Sequence, residues 1–288
     1  MLDLTVESPA LQAVVPVRLL LPPGWRPRTD RTWPVFYLLH GAYDDYTSWT
    51  RETDVADLTD GADVLVVMPT ASRDGFYSDW WNHGAAGPPG WETFHLVELR
   101  QILERGYCAG QRRSIAGLSM GGFGAMSYAA RHPGMFRAAA SYSGAVHTTR
   151  GIGPGMIQSV VVGHGHDPLA LWGDPTLNGG IWAAHNPHDL ADRLLDIPLY
   201  VSSGNGQPGP LDPPGTLPDP VIEPMCADMS TAFVAKLRDL GADLTSDLYG
   251  PGTHSWPYWQ RALHDSWPML MKAVDHRRNT QRRQSGVT

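Results

Sequence analysis

The sequence has few cysteines and no long apolar run near its start. Its two cysteines, Cys108 and Cys226, lie far apart and outside any metal-binding spacing, so neither a disulfide framework nor a zinc site is indicated. The stretch from Met1 to Val17 carries Asp3 and Glu7, which is untypical of a signal peptide or a membrane span. We therefore expect no stable membrane insertion, with a cytoplasmic location if the sequence is complete and a secreted one if it is a mature chain.

Positive charge is also scarce. Lys and Arg number 22 against 29 Asp and Glu, which gives a net charge of -7, and the basic run Asp275–Arg283 falls in the C-terminal tail. This pattern provides no basic surface for binding nucleic acid, and we expect 276–288 to be a flexible tail.

No composition break divides the sequence, so we predict one domain over 1–288. The oligomeric state stays open.

Short apolar runs alternate with helical patterns through most of the chain. The runs Leu2–Val6 and Val14–Leu21 are predicted to form two antiparallel edge strands. Further apolar runs bounded by turn residues are typical of strands covered on both faces: Val35–Leu39, Val64–Met68, Ser114–Leu118, Ala138–Ser141 and Ile197–Val201. Leu244–Tyr249 is predicted to be the last strand. Helices are predicted between and after them: Trp91–Tyr107, Gly122–Arg131, Met225–Leu240 and Tyr258–Val274.

This alternation predicts an α/β fold with a mostly parallel central sheet and helices on both faces, in which ligands bind beyond the carboxyl ends of the strands. Two segments interrupt it. The segment 151–189, rich in Gly, His and Trp, is predicted to be a helical or irregular cap insertion. The segment 205–224 holds seven prolines and is predicted to be a rigid loop on the rim of the site.

Gly117-Leu118-Ser119-Met120-Gly121 is a Gly-x-Ser-x-Gly pentapeptide. The small flanking residues permit a strained strand-to-helix turn that exposes the serine hydroxyl. The pattern is common by itself, but here a predicted strand leads into it and a predicted helix leads out. Ser119 is therefore a candidate nucleophile.

A serine hydroxyl needs a base to remove its proton and an acid to orient that base. His254 is the best candidate for the base, because it lies in a loop directly after the last predicted strand. Several acids follow the strand Ile197–Val201, and simple topology favours Asp212 because it comes first. The candidate acids are Asp212, Asp219, Glu223 and Asp228.

Backbone amides near the serine complete the chemistry. An oxyanion would be bound by the amide of Met120, after the nucleophile, and by that of Ala42, after the strand Val35–Leu39. One such donor contributes about 3 kcal/mol of transition-state stabilisation.

A metal site is an alternative, since His164, His166 and Asp167 lie close in sequence. Histidines in a glycine-rich loop are more often solvated. We expect neither a metal nor a cofactor.

Several segments together resemble one family, the esterase branch of the α/β-hydrolases that includes the mycobacterial mycolyltransferases. The resemblance spans most of the chain, and its last segment is the most specific. The segments are Tyr37-Leu38-Leu39, Asp44-Asp45-Tyr46, Phe76-Tyr77-Ser78-Asp79-Trp80, Trp91-Glu92-Thr93-Phe94, Gly117-Leu118-Ser119-Met120, Ser203-Gly204-Asn205-Gly206 and Gly252-Thr253-His254-Ser255-Trp256-Pro257-Tyr258-Trp259.

The resemblance implies the α/β-hydrolase fold and a carboxylic-ester hydrolase that works through an acyl-serine on a small-molecule acyl ester. Carried over by position, it implies Ser119 as nucleophile, His254 as base and Glu223, rather than Asp212, as acid. It also implies the amides of Ala42 and Met120 as oxyanion donors. We expect four further side chains to contact substrate: His40, Tyr43, Asp45 and Trp256.

One departure from the family concerns the substrate. Where the transferases carry Asp-Gly and an Arg-containing stretch, this chain reads His40-Gly41-Ala42-Tyr43 and is shorter. The loss of a carboxylate and a guanidinium argues against trehalose recognition. Two alternatives to a hydrolase remain: an acyltransferase of the mycolyltransferase type, and a non-catalytic binding protein on the same fold.

Overall fold

The computed structural model describes residues 1–275, so the predicted tail 276–288 lies outside the described residues. All eight predicted strands are present, with bounds that differ from the predictions by a few residues. The strands are β1 (Leu2–Ser8), β2 (Ala13–Leu20), β3 (Trp33–Leu39), β4 (Leu65–Pro69), β5 (Ala109–Leu118), β6 (Ala139–Tyr142), β7 (Leu199–Gly204) and β8 (Leu244–Gly250).

The strands form a single sheet in the order β1-β2-β4-β3-β5-β6-β7-β8. Strands β3 to β8 pair in parallel, whereas β1 pairs antiparallel with β2 and β2 antiparallel with β4. The predicted edge pair is therefore correct in direction, but β2 is an inner strand, because β4 covers its second side. The carboxyl ends of β3 and β5 to β8 meet at one edge, where a site is expected.

Helices cover both faces of the sheet. The helices are α1 (Ser48–Glu52), α2 (Val55–Thr59), α3 (Trp91–Thr93), α4 (Arg100–Gly106), α5 (Met120–Arg131), α6 (Gly153–Gly163), α7 (Gly179–His185), α8 (Ile222–Asp239) and α9 (Trp256–Val274). Residues of α5 and α8 pack on one face of the sheet with Tyr37. Residues of α2 and α9 pack on the other face with Phe36 and Leu38. Successive β3 residues enter opposite cores because side chains alternate along a strand.

Two helical regions differ from the sequence prediction. The predicted helix Trp91–Tyr107 is present, but it contains a wider π turn over Phe94–Leu99 between α3 and α4. The helices α1 and α2 are unpredicted, since five residues each are too short to show a helical period.

The segment 151–189 contains α6 and α7 and packs against the loops that follow β3 and β4. The ring of Tyr43 lies 4.7 Å from that of His164, and Trp172 packs at 5.9 Å from Phe76 and 5.3 Å from Phe123, between ring centroids. The segment therefore adjoins the carboxyl edge of the sheet. Over residues 1–275, no helix is both long and apolar enough to cross a bilayer.

Candidate active site

Ser119 lies in a strained turn between β5 and α5. Its backbone angles are φ 53° and ψ -119°, a left-handed region that a residue with a side chain rarely adopts. The amide of Ser119 donates to the Tyr142 carbonyl at 2.9 Å, and its carbonyl accepts from the Phe123 amide at 3.0 Å. The turn is thus held from β6 and from the first turn of α5.

The glycines of the pentapeptide are required by close backbone approaches. A Cβ on Gly117 would lie 2.4 Å from the Gly121 carbonyl oxygen, and one on Gly121 would lie 2.5 Å from the Leu39 carbonyl oxygen. Real Cβ atoms do not approach a carbonyl this closely, so the turn admits only glycine at both positions without a backbone shift.

The loop after β3 lies directly on this turn. A Cβ placed on Gly41 would come within 2.6 Å of Leu118 Cδ1 and 3.5 Å of Ser119 Cβ. Within residues 1–275, the next amide, that of Ala42, donates no hydrogen bond. Met120 is the first residue of α5, so its amide has no carbonyl partner within the helix. Both predicted oxyanion donors are therefore available to a ligand.

The His40 ring lies beneath this loop. It is 1% exposed, its Nε2 accepts from the Ala71 amide at 2.9 Å, and its Nδ1 donates to the Gly41 carbonyl at 2.7 Å. Burial lowers the pKa of His40, which favours the neutral ring. His40 was expected to contact substrate, but its nitrogens are already used, so the ring supports the loop from below.

His254 and Glu223 form a close pair at the same edge of the sheet. His254 follows β8, Glu223 lies in the first turn of α8, and the His254 Nδ1 donates to Glu223 Oε2 at 2.5 Å. The Glu223 side chain is fully buried, whereas that of His254 is 16% exposed. The imidazole therefore has one nitrogen bound to a carboxylate and an edge that remains accessible.

Three donors fix the other oxygen of Glu223. Its Oε1 accepts from Ser143 Oγ at 2.9 Å, Ser203 Oγ at 3.0 Å and the Gly204 amide at 2.6 Å. A buried carboxylate with this many donors has a fixed orientation toward His254.

Trp259 contacts both His254 and Ser143, the serine that donates to Glu223. Its Nε1 donates to Ser143 Oγ at 3.2 Å, and its ring packs edge-on to His254 with 4.9 Å between centroids. Ser143 follows Tyr142, which pairs with Leu118 directly before Ser119. The sheet register thus brings Ser119 and the Glu223–His254 pair to one edge. Among the hydrogen bonds of residues 1–275, none joins Ser119 Oγ to His254, and such bonds are often long without substrate.

Asp212 lies near this pair but has other partners. Its carboxylate accepts from the Thr253 hydroxyl, from Tyr258 OH at 2.8 Å and from the Gly209 amide at 2.8 Å. Burial raises the pKa of Asp212, and these hydrogen bonds outweigh it, so the pKa is lowered overall. Asp212 therefore fixes the loop that carries His254.

Asp219 performs a similar task for Glu223. Its carboxylate accepts from the amides of Val221, Ile222 and Glu223 at 2.8 to 3.0 Å. A carboxylate at this point satisfies amides that lack partners within the helix. Asp219 therefore fixes the start of α8, which carries the buried acid.

The other residues expected to contact substrate lie around the rim. Tyr43 is 57% exposed and has a left-handed φ of 64°. Asp45 accepts from the Thr47 amide at 2.8 Å. Trp256 is half-buried between Trp49 and Trp259, with centroid distances of 5.3 and 5.1 Å. Tyr43 is the most accessible of the three.

The histidines of the alternative metal site bind separate partners. His166 Nδ1 contacts Asp74 at 2.6 Å, Asp167 contacts His83 at 2.7 Å, and His164 Nδ1 bonds the Val160 carbonyl at 2.9 Å. Across the described chain, the metal-ligating types converge at another place, where Glu223, Cys226 and His254 meet.

Comparisons with known proteins agree with the fold. The parallel sheet, the strained serine turn and the histidine loop after β8 define a protein of the α/β-hydrolase class. The chain belongs to the Putative esterase family, which it matches over residues 8–270. The family expected from sequence is thus confirmed.

The relatives include acyltransferases and esterases. Diacylglycerol acyltransferase/mycolyltransferase Ag85B of Mycobacterium leprae is 32% identical over 84% of this chain and 76% of its own length. Esterase Rv1288 of Mycobacterium tuberculosis is 34% identical over 65% of this chain and 42% of its own length. Mycobacterium tuberculosis MPT51 (FbpC1) has the same fold, with a TM-score of 0.78 at 24% identity over 94% of this chain and 98% of its own.

Several residues of the site could not be given their role from the sequence. Ser143 and Ser203 follow or end apolar strands, and only the sheet register brings both hydroxyls to Glu223. Asp219 was considered only as a candidate acid, although an aspartate before a helix is typical of a cap. That pattern could have assigned its role.

Proposed function

We propose that the protein is a carboxylic-ester hydrolase in which Ser119 is the nucleophile, His254 the general base and Glu223 the orienting acid. The observation that carries this proposal is the 2.5 Å contact between His254 Nδ1 and Glu223 Oε2, at the edge of the sheet where Ser119 is half-buried. A proton on Nδ1 leaves Nε2 with a free lone pair, which is the form a general base requires.

The reaction follows from these groups. His254 Nε2 takes the Ser119 proton as the hydroxyl oxygen attacks the ester carbonyl, and the amides of Ala42 and Met120 bind the developing oxyanion. The intermediate collapses as the imidazolium protonates the leaving alcohol, which leaves an acyl-serine. Water then attacks this ester with His254 again as base, releases the acid and restores Ser119.

The segment 151–189 supports an apolar acyl group. Residues 151–163, which include α6, contain no charged residue, and Ile152 and Val162 are 57% and 53% exposed. Tyr43 packs on the His164 ring at the end of this helix, next to the loop that carries the Ala42 amide. We propose that 151–189 is a cap over the acyl chain, because uncharged exposed surface on a helix that contacts the loop of the Ala42 amide favours burial of hydrocarbon.

Acyl transfer to an alcohol is the second candidate. The acyl-serine can react with an alcohol as well as with water, and Ag85B of Mycobacterium leprae, 32% identical to this chain, is named an acyltransferase. The stretch His40-Gly41-Ala42-Tyr43, with its buried neutral His40, provides no charged side chain for a sugar. We therefore favour water, or a simple alcohol, as the acceptor.

Turnover of p-nitrophenyl butyrate separates the two candidates. We expect p-nitrophenol and butyrate to be released in equal amounts, with little change when glycerol or trehalose is added. Butyryl glycerol or butyryl trehalose formed faster than free butyrate would favour the transferase. The Ser119→Ala variant measures the background, and its expected loss of turnover is about 10⁴-fold to 10⁶-fold.

A further inference from the structure

Cys226 lies beside the Glu223–His254 pair. It follows Glu223 by about one turn of α8 and is 1% exposed. One ligand atom each from Glu223, Cys226 and His254 lies within 4.8 Å of the other two. The ester chemistry proposed above gives the Cys226 thiol no part, so its position needs another account.

We propose that Glu223, Cys226 and His254 bind a thiophilic divalent cation, with Zn²⁺ as the reference ion, and that binding reversibly arrests the enzyme. The arrest rests on the proposed function, whereas the cation site itself does not. A thiolate, an imidazole and a carboxylate are the three ligand types that zinc accepts, and a fourth position would be left for water.

The geometry is close to what the ion needs. Bonds of the usual zinc lengths at tetrahedral angles place ligand atoms about 3.3 to 3.6 Å apart. The His254 Nδ1 and Glu223 Oε2 atoms, now 2.5 Å apart, would separate by somewhat less than 1 Å. The side chains of Glu223 and Cys226 are buried, whereas that of His254 is 16% exposed. The ion would therefore reach the site past His254.

Charge selects the type of cation. A carboxylate and a thiolate together neutralise a divalent ion, which removes most of the cost of burying its charge. A sulfur and a nitrogen ligand favour ions with high sulfur affinity and exclude Mg²⁺ and Ca²⁺, which take oxygen ligands.

The proton balance explains the arrest. When the ion binds, Cys226 releases its proton to solvent, and the proton on His254 Nδ1 is replaced by the ion while Nε2 takes up a proton. The ring then donates from Nε2 and has no lone pair for the Ser119 proton. Binding also breaks the His254–Glu223 hydrogen bond. Removal of the ion restores the original tautomer.

The test titrates the purified full chain with Zn²⁺ and Cd²⁺ and follows binding and turnover separately. Calorimetry and the cadmium–thiolate absorption band report binding without any substrate. We expect one ion per chain, a loss of p-nitrophenyl butyrate turnover of at least 10-fold, and full recovery with EDTA. The second thiol provides the control, since Cys108 lies elsewhere and Cys108→Ser should behave like the wild type.

The Cys226→Ala variant should keep its turnover without added metal, bind Cd²⁺ at least 10-fold more weakly and lose the thiolate band. Cys226→Ser serves in its place if Cys226→Ala does not fold by circular dichroism. Wild-type protein without a thiolate band, or a Cys226 variant inhibited as strongly as wild type, would overturn the site. Metal binding by a wild type that hydrolyses no ester would instead refute the proposed function and leave the site standing.

Discussion

The Asp212 carboxylate accepts hydrogen bonds from Thr253, directly before His254, and from Tyr258, four residues after it. Asp212 therefore holds both ends of the short segment that presents the imidazole. Glu223 contacts the imidazole itself, at 2.5 Å from Nδ1. Two acids thus act on one histidine by different routes, and substitution distinguishes them.

Glu223→Gln should lower ester turnover by about 10³-fold to 10⁴-fold with little change in KM. The three donors at Oε1 keep the amide oxygen there, so the amide nitrogen faces His254 Nδ1, favours the wrong tautomer and cannot stabilise the imidazolium. The measurement is kcat for p-nitrophenyl butyrate, with a melting curve to verify folding.

Asp212→Asn is the matched control. The amide oxygen can keep the bonds from Tyr258 OH and the Gly209 amide, and only the bond from Thr253 to the other oxygen is lost, so we expect a loss of turnover below about 10-fold. A larger effect in Asp212→Asn than in Glu223→Gln would reverse the assignment of the acid.

Gly121→Ala should damage both stability and turnover. The new Cβ would lie 2.5 Å from the Leu39 carbonyl oxygen and 2.6 Å from that of His40, so the end of β3 must shift. We expect a stability loss of about 1 to 3 kcal/mol and a turnover loss of about 10²-fold, since the Ala42 amide moves with β3. Chemical denaturation and kcat test this expectation.

Gly155→Ala is the comparison for that variant. Gly155 lies in α6 with no heavy atom within 4 Å of its added Cβ. Alanine should be neutral there, or stabilise by up to about 1 kcal/mol. Equal damage from both substitutions would show that close packing at Gly121 is not the cause.

Ser143→Ala should lower stability by about 1 to 3 kcal/mol, because it leaves the buried Trp259 Nε1 and one Glu223 acceptor site without this partner. Ser114→Ala is its control, since the buried Ser114 hydroxyl has no hydrogen-bond partner within residues 1–275. Its removal should cost nothing measurable. Urea denaturation measures the free energy of unfolding of both variants. Equal losses of stability in Ser143→Ala and Ser114→Ala would contradict this expectation.

His95 should make the protein sensitive to acid. The ring is fully buried, its Nε2 donates to the Thr70 carbonyl and its Nδ1 accepts from Tyr128 OH, each at 2.8 Å. Burial lowers the pKa of His95 from 6.5 to about 3. Below pH 6.5 the unfolded chain binds a proton that the folded chain excludes, so stability falls from pH 7 toward pH 3, by about 2 kcal/mol at pH 5.

Urea denaturation between pH 5 and 8 measures this slope. We expect it to be shallower in His95→Gln, which keeps hydrogen-bonding groups but does not titrate. His264→Gln removes an exposed histidine instead and should retain most of the wild-type slope. An unchanged slope in His95→Gln would show that another group governs the acid response.

The sheet could be predicted from sequence because five of its strands, β3 to β7, contain short apolar runs between turn residues. Strands covered on both faces must be apolar throughout, as in β4, where all five residues are buried. The inner position of β2 was not predictable, since its pairing with β4 joins residues about fifty positions apart. The two five-residue helices, α1 and α2, are stabilised by packing rather than by a visible period.

The candidate site was predictable where a local turn carries it. Ser119 and the amide of Met120 follow from the strand-turn-helix pattern, and His254 from its place after β8. Topology alone favoured Asp212 as the acid, because it is the first acid after β7. In the structure Asp212 accepts from Thr253, whereas Glu223, which contacts His254, lies later in the chain on α8. Family resemblance, not spacing, indicated Glu223.

The central claim is that the Ser119 hydroxyl is made nucleophilic by His254. Reaction of the folded wild type with a fluorophosphonate, followed by mass spectrometry of its peptides, tests this most directly. We expect a single adduct on the peptide that carries Ser119, absent in Ser119→Ala and formed at least about 10²-fold more slowly in His254→Ala. A folded wild type that stays unlabelled, or an adduct on another residue, would contradict the claim.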